Sequence, residues 1–382
     1  MPASEVIPAL SGGAPLFPKG PPDWPGRLAE VREGLLEAWS NGTWGKYNGH
    51  LVEKLQDLTS CWLGRTHALA VSSGTLGIEL GLIALGVANP SQCTVGVALC
   101  DYDYPGNFLT IHHLGAVPIL VDTDPKTGQM CEQSLSEVIR HSTIPIKAVI
   151  VSTLHGSSPC LSKIDAILKK AQIPWIADAC QAVGGSLAEN RHGSQGTIAV
   201  WSFGGSKHLS AGRGGMIFTN EASLAQRMRL ANTRGSVVGG LSELQAAAIL
   251  SQWPQMEERH IKRAQQANIL RSHLSDIDEV RLPTIVGDPT SQAYYKFDFW
   301  IDALPDRLDW VMAALKAEGL AVEKGFRSLT KGRSPSRFHA PVALTNSHNT
   351  SPCRLVLHHP ILLESGSGEM VAQAIRRVLA YS

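Results

Sequence analysis

Between His67 and Asn220, short apolar runs alternate with longer stretches whose apolar positions recur every three or four residues. The runs HALAVSS, CTVGVALC, AVPILVDTD, IKAVIVSTLHG, IPWIADAC, TIAVWSF and GGMIFTN predict strands. The stretches GTLGIELGLIALGV (opened by Gly74-Thr75), PGNFLTIHHLG and LSKIDAILKKAQ predict helices between them. The strands are apolar throughout instead of on every second residue, as a mainly parallel sheet with helices on both faces requires. An α/β doubly wound architecture is the expectation.

Upstream, residues 1–25 are rich in Pro and Gly and predict an extended arm. Helical periodicity starts near Pro25 in GRLAEVREGLLEAWSNG and stops at Asn41-Gly42. After the loop TWGKYNG it resumes in HLVEKLQDLTSCWLG. Beyond Asn220, ASLAQRMRLANTRG and the long SELQAAAILSQWPQMEERHIKRAQQANILRSHL are helical, the second broken near Pro254. A strand, YYKFDFWIDA, a helix, DRLDWVMAALKAEG, a polar loop and a closing helix, GEMVAQAIRRVLA, then make a smaller α+β domain. The expected organisation is an arm (1–25), a large α/β domain (26–255) and a small C-terminal α+β domain (256–382), without internal repeats.

A chain of 382 residues has room for two domains sharing a core, and 43% hydrophobic content is ordinary for a soluble globular protein. A net charge of +1, with no basic tract interleaved with aromatics, gives no reason to expect nucleic acid or an anionic membrane as partner. The seven cysteines (Cys61, Cys93, Cys100, Cys131, Cys160, Cys180, Cys353) are scattered, odd in number and never in a C-x-x-C pair. They predict reduced thiols in a cytoplasmic protein, not a disulfide frame or a metal site. MPASEVIPALSGGAPLFP lacks the basic-then-apolar order of a secretory signal, and the longest apolar run is interrupted by Glu79 and too short to cross a bilayer.

Three segments can carry chemistry. SSGT, Ser72 to Thr75, lies at a strand-to-helix junction, where free N–H groups make either an anion site or an ordinary cap. In ADACQAVGG, Asp178 ends an apolar strand, where a carboxylate meets a cation or donors, or else caps a helix in QAVGG. In SFGGSKHLSAGRGG, Lys207 lies after TIAVWSF at the same edge of the sheet, as a solvated lysine or as an amine kept for Schiff-base chemistry. It is no P-loop lysine, because Ser206 precedes it. A phosphate cradle, a buried carboxylate and an amine are together the three features that pyridoxal 5'-phosphate needs.

With these motifs the sequence resembles the DegT/DnrJ/EryC1/StrS sugar aminotransferases, a family of fold type I pyridoxal-phosphate enzymes. SGGAPLFPKGPPDWP resembles the opening segment of the branch containing scyllo-inosose aminotransferases and 3-amino-5-hydroxybenzoate synthases. SNGTWGKYNGHLVEKLQDL, ALAVSSGTLGIELGLIALGV, LGAVPILVDTDPKTG, IADACQAVGG, SFGGSKHLSAGRGGMIFTN and SELQAAAILSQ come next, in family order. The resemblance implies a mainly parallel seven-stranded sheet beside a smaller α+β domain, and a homodimer with active sites at the subunit interface. It implies that Lys207 forms the internal aldimine and shuttles protons, that Asp178 pairs with the pyridine nitrogen, and that Gln181 bonds the ring oxygen. Gly74, Thr75, Leu76 and Ser202 would hold the phosphate, and Tyr104 would stack on the ring. Substrate contacts would come from Trp44 and Tyr47 of TWGKYNG. KGFRSLTKGRSPSRFH either holds an anionic group or is a solvated basic loop.

Two departures stand out. Arg213 replaces residues that are usually acidic in the family, so it either meets an acidic substrate or faces solvent. The family's Asn-x-Arg segment, whose asparagine reaches the neighbouring protomer's phosphate, is cut to TRGSVVGGLSELQAA, with Val238 and Gly240 at the aligned places. The implied activity is transfer of an amino group from glutamate or glutamine to a keto sugar, cyclitol or related polar ketone. A pyridoxal-phosphate lyase is the alternative reading, although family dehydratases carry histidine in place of the lysine. A non-catalytic regulator would be marked by a fused DNA-binding module, and none is visible.

Overall fold

The protein was analysed as a computed structural model, which describes residues 7–47, 49–88, 94–302 and 305–381. Cys93 and the first six residues of the arm lie outside them. Seven strands form the central sheet: β1 (His67–Val71), β2 (Gly96–Cys100), β3 (Val117–Val121), β4 (Ile146–Ser152), β5 (Trp175–Asp178), β6 (Ile198–Ser202) and β7 (Gly215–Thr219). Their order is β1-β7-β6-β5-β4-β2-β3. The ladders joining β2 through β6 are parallel, and β7 runs antiparallel to both β1 and β6. The segment carrying Lys207 is therefore the connection between two neighbouring antiparallel strands.

Side chains alternate across the sheet, and both faces are dry. In β2, Ala98 and Cys100 enter one core while Val97 and Leu99 enter the other. The first core is covered by α2 (His50–Leu63), α5 (Glu132–His141), α6 (Leu161–Ala171) and α8 (Glu243–Gln252). The second is covered by α3 (Gly74–Ala84), α4 (Pro105–His113) and α7 (Ala222–Ala231). Helix α3 lies unusually close to the sheet: a Cβ on Gly77 would stand 2.7 Å from Val200 Cγ1 of β6. That approach brings the first turn of α3 to the end of β6. A further helix, α1 (Ala29–Ser40), packs on α8.

A second, antiparallel sheet has the order β8-β9-β11-β10, from Val280–Arg281, Lys296–Ile301, Arg354–His358 and Val322–Lys324 respectively. It shares a third core with α9 (Met256–Leu274), α10 (Pro305–Ala317) and α11 (Ser367–Tyr381). Phe17 of the arm is part of that core, and Glu318 accepts the Ala9 and Leu16 N–H groups at 2.9 and 3.0 Å. Helices α8 and α9 are separated by a single 3-10 turn at Trp253–Gln255, where Pro254 interrupts the ladder.

Candidate active site

Four parallel strands end at one edge of the sheet, where open α/β proteins place their ligands. β2 runs on into Asp101 and Asp103, and β4, β5 and β6 end at Ser152, Asp178 and Ser202. Lys207 sits in a tight turn beside them. Its N–H donates to Gly204 O and its carbonyl accepts from the Trp24 indole, both at 2.9 Å. The side chain is half-buried, and Nζ stands 4.2 Å from the centroid of the Tyr295 ring. Tyr295 is anchored by a 2.7 Å hydrogen bond between its hydroxyl and Ser206 Oγ. Among the described residues the Lys207 amine forms no ion pair.

Asp178 is buried. Its Oδ1 accepts the Cys180 N–H at 3.1 Å and its Oδ2 accepts Asn107 Nδ2 at 2.8 Å, but among the described residues no cation pairs with it. A carboxylate so placed is costly unless positive charge reaches it. The Cys180 thiol reports both groups: burial pushes it well above its ordinary value, Asp178 adds to the rise and Lys207 opposes it. A second carboxylate, Asp103, is fully buried next to Asp178, and burial together with that neighbouring charge pushes it well above the usual carboxylate range.

The first turn of α3 supplies backbone donors. Ser73 caps it, its Oγ accepting the Leu76 N–H at 3.0 Å, so that the Leu76 amide is already satisfied and Gly74 and Thr75 stand as the free end of the turn. A Cβ on Gly74 would lie 2.7 Å from Cys180 Sγ and 3.0 Å from Ser202 Cβ. The loop after α7 runs alongside: Ser72 N–H donates to Gly239 O at 2.9 Å, and Asn232 Oδ1 accepts the Gly239 N–H at 3.0 Å.

Gln181 is buried, with Oε1 accepting the His155 N–H at 2.9 Å, which leaves its Nε2 as the free donor. His155 adopts a left-handed backbone (φ 61°) and burial keeps its ring neutral. The Tyr102 hydroxyl accepts the Phe326 N–H at 3.1 Å and shares a hydrogen bond of 2.9 Å with His155 Nε2. The His155 Nδ1 atom is buried and has no hydrogen-bond partner among the described residues. Phe326 stacks on His155 with centroids 5.7 Å apart and meets the half-exposed Tyr104 ring at 6.0 Å. Beyond Phe326 opens a cavity of about 700 Å³, walled by Lys324, Arg327, Lys331, Arg333, Phe338 and His348. Lys324 is paired with Asp309, and Arg333 lies over the Phe108 ring. Arg327 and Lys331 are exposed and have no counter-ion among the described residues.

Trp44, Tyr47 and Arg213 do not join this cluster within one chain. Trp44 is half-exposed, Tyr47 fully exposed, and the Arg213 side chain points to solvent while its carbonyl accepts Gln245 Nε2 from α8. Sequence reasoning overlooked Asp103, Asn107, Ser152, His155 and Phe326. The signal for the first was present: two aspartates directly after the strand CTVGVALC stand at the same sheet edge as Asp178.

The residues present fit pyridoxal 5'-phosphate. An unpaired amine and an unpaired buried carboxylate lie in one strand-end cluster, beside a helix N-terminus pressed so closely on Ser202 that no side chain fits at Gly74. The ring Nδ1 of His155 and the Gln181 Nε2 have no hydrogen-bond partner among the described residues. Among the described residues no group of His, Cys, Asp and Glu forms a metal site, and no helix is long and apolar enough to cross a membrane.

Comparison with known proteins agrees with this chemistry. Residues 28–376 match the profile of the DegT/DnrJ/EryC1/StrS aminotransferase family. The L-glutamine:2-deoxy-scyllo-inosose aminotransferase of Streptoalloteichus tenebrarius is 26% identical over 430 aligned residues, covering 98% of this chain and 97% of that one. The crystal structure of 3-amino-5-hydroxybenzoic acid synthase superposes with a TM-score of 0.83 at 22% identity, over 97% of this chain and all of that one. The Bacillus subtilis protein NtdA, solved with bound cofactor PMP, superposes with a TM-score of 0.77 at 20% identity, over 92% and 81%.

Proposed function

The chain belongs to the DegT/DnrJ/EryC1/StrS aminotransferase family, with pyridoxal 5'-phosphate as its cofactor, and from that premise we propose that it moves an amino group from glutamate or glutamine to the keto group of a sugar, a cyclitol or a related polar ketone. The observation that carries this reading is the half-buried Lys207 amine, unpaired, in the same strand-end cluster as the unpaired, buried Asp178.

When bound, pyridoxal 5'-phosphate supplies an aldehyde that condenses with amines and a ring that takes up the electron pair left when a C–H bond breaks. The chain's part is to bind, orient and move protons. Lys207 Nζ takes the proton released at the donor's α-carbon, and in the second half-reaction returns one to the carbon that receives the nitrogen. Tyr295 confines the amine from one side, and the turn holding Lys207 is pinned by Gly204 and Trp24. Asp178 would hold the proton on the ring nitrogen. Gln181 Nε2 would donate to the ring oxygen, the α3 turn with Ser202 would hold the phosphate, and Tyr104 would lie against the ring.

On the acceptor side, the cation-walled cavity behind Phe326 favours a ketone bearing a carboxylate or phosphate, with Arg327 and Lys331 as its unpaired cations. Dimerisation is part of the same proposal. Leu36, Trp39, Trp44, Tyr47, Val237 and Leu244 are exposed apolar side chains on α1, α8 and their neighbouring loops, and a second copy of the chain would cover them.

The test is direct. Purified protein mixed with pyridoxal 5'-phosphate should gain the visible absorbance of a lysine-bound cofactor, and Lys207→Ala should not. Glutamate or glutamine should then convert that absorbance to the pyridoxamine form. If glutamate, glutamine and alanine all leave it unchanged, the aminotransfer reading is wrong for this donor set; if Lys207→Ala binds the cofactor with the wild-type spectrum, the lysine assignment is wrong.

A further inference from the structure

Asp178 does not stand alone. Asp103, Ser152 and Asn107, from three different segments, close around it in a buried polar knot, and Asp103 and Asp178 are 0% and 6% exposed. Two buried carboxylates in hydrogen-bonded company cannot both ionise without a cation between them, and no cation reaches Asp103 among the described residues.

The hydrogen inventory says where the shared proton belongs. Asp103 Oδ1 accepts the Tyr104 N–H at 2.6 Å and Asn107 Nδ2 at 3.2 Å. Asp103 Oδ2 has only Ser152 Oγ, at 2.9 Å, and no N–H. Asp178 is already served by two N–H groups, from Cys180 and Asn107. A proton on Asp103 Oδ2 therefore donates to Ser152 Oγ and frees the serine hydroxyl to turn toward Asp178 Oδ2, at 3.5 Å the longest link of the set. Every hydrogen then has an acceptor. With both carboxylates ionised, the single Ser152 hydrogen would face both Asp103 oxygens, at 2.8 and 2.9 Å, and Asp103 Oδ2 would have no donor but a shared one.

We propose that Asp103 is a positioning residue that holds one proton and, through Ser152 and Asn107, presents Asp178 as the lone negative charge facing the cofactor's ring nitrogen. The inference rests on the reading of Asp178 under the proposed function. With Asp103 neutral, the proton on the ring nitrogen faces one carboxylate. Once Asp103 ionises, a second negative charge stands behind the first and makes Asp178 the stronger base, so that the proton between them would move from the nitrogen onto the Asp178 carboxylate and the ring would weaken as an electron acceptor. The other groups facing Asp103 are the Cys100 thiol from β2 and the Cys180 thiol beyond Asp178, both pushed well up by burial, with Lys207 opposing Asp178 at Cys180. The neighbouring Asp101 is engaged elsewhere, accepting from the Ser328 and Ser347 hydroxyls at 2.6 Å. Burial and the Asp178 charge both push Asp103 upward, the direction that favours its neutral form.

Asp103→Asn is the informative variant: its amide can donate to Ser152 where the acid does, and it cannot ionise. The apoprotein is measured first, by infrared difference spectroscopy of wild type against D103N at neutral pH. A protonated-carboxyl stretch present in wild type and missing in D103N is expected; its absence from wild type overturns the proton assignment whether or not the cofactor binds. The holoprotein is then titrated with ring-¹⁵N-labelled cofactor, following the nitrogen shift and the visible band. D103N should keep the protonated-ring signal to a pH higher than wild type by about one unit or more, the size of one neighbouring charge. Ser152→Ala, which cuts the link without touching either carboxylate, should lose it at a lower pH than wild type. Coincident titrations of wild type and D103N overturn the positioning role. A protein that gives the infrared band but binds no cofactor instead refutes the proposed function and leaves the proton assignment standing.

Discussion

A single methyl group added at Gly74 should be felt in both the fold and the cofactor site. Gly74 is buried at the first position of α3, and its Cβ would stand 2.7 Å from Cys180 Sγ and 3.0 Å from Ser202 Cβ. Ordinary contacts lie at roughly 3.5–4 Å, so the sulfur must retreat by about 1 Å. Two effects oppose each other. Alanine is favoured over glycine by up to about 1 kcal/mol inside a helix, and by less at its first position. Overpacking a tight site costs about 1–3 kcal/mol. The clash wins, and Gly74→Ala should destabilise the apoprotein by ~1–2 kcal/mol. Because the sulfur is the closest obstacle, Cys180→Ala should relieve it: the double variant should be more stable than the sum of the singles by about 0.5–2 kcal/mol. Urea unfolding of the four apoproteins measures this, provided all share one slope. Cofactor affinity is the second readout, since the methyl crowds Ser202 and about tenfold weaker binding corresponds to ~1.4 kcal/mol. A Gly74→Ala protein that unfolds at the wild-type midpoint, or strictly additive singles, would refute the account of the cradle.

The same geometry leads to other expected outcomes. His192 is buried with neither ring nitrogen partnered among the described residues, and burial pushes it down from 6.5 to about 4. The unfolded chain binds that proton first, so stability is full above pH 6.5 and falls as pH drops toward 4. At about 1.4 kcal/mol per unit this amounts to ~3 kcal/mol, and His192→Leu should flatten the loss in a series of unfolding midpoints against pH. Arg327→Ala with Lys331→Ala should lower kcat/KM for an anionic acceptor by about 10–100-fold, the worth of one charge-assisted contact, and leave the rate of the donor half-reaction unchanged. Equal loss in both half-reactions would place the two cations outside an acceptor site. Arg354 is fully buried, 3.5 Å from Asp298 and stacked over Tyr102. Arg354→Met should cost about 3–5 kcal/mol by stranding Asp298, and adding Asp298→Asn should recover part of it in the same unfolding assay.

Much of the central sheet could be read from the chain, because strands buried on both faces leave uninterrupted apolar runs such as CTVGVALC and IKAVIVS. The last two strands of the smaller sheet could not. β10 is three residues long with Glu323 and Lys324 exposed, and β11, RLVLH, stands inside a polar stretch whose character comes from the loops on either side. Helix α5 carries a strong amphipathic pattern in EQSLSEVIRH but falls in a segment to which the pattern reading assigned no element. In the site, Lys207 and Asp178 were legible as strand-end residues of unusual type. Asp103 was legible by the same sign, a carboxylate directly after a strand, but its link to Asp178 was not, because that depends on Ser152 and Asn107 meeting it across the sheet, and hydrogen bonds between separate segments leave no periodic trace. His155 is similar: its left-handed backbone is needed to bring its ring onto Phe326, more than 150 residues away. Trp44, Tyr47 and Arg213 rest on the family resemblance alone, and in one chain they face outward.

The arm is more than a tether. Trp24 grips the carbonyl of Lys207 and meets the His359 ring at 4.8 Å, while a few residues earlier Phe17 is sunk in the other core. The backbone that carries the reactive amine is thereby held by a strap whose far end is fastened to the smaller sheet. Changes at the extreme N-terminus, such as a tag, a truncation or loss of the Glu318 anchor, would travel along that strap and be read out as altered chemistry about 180 residues away in sequence.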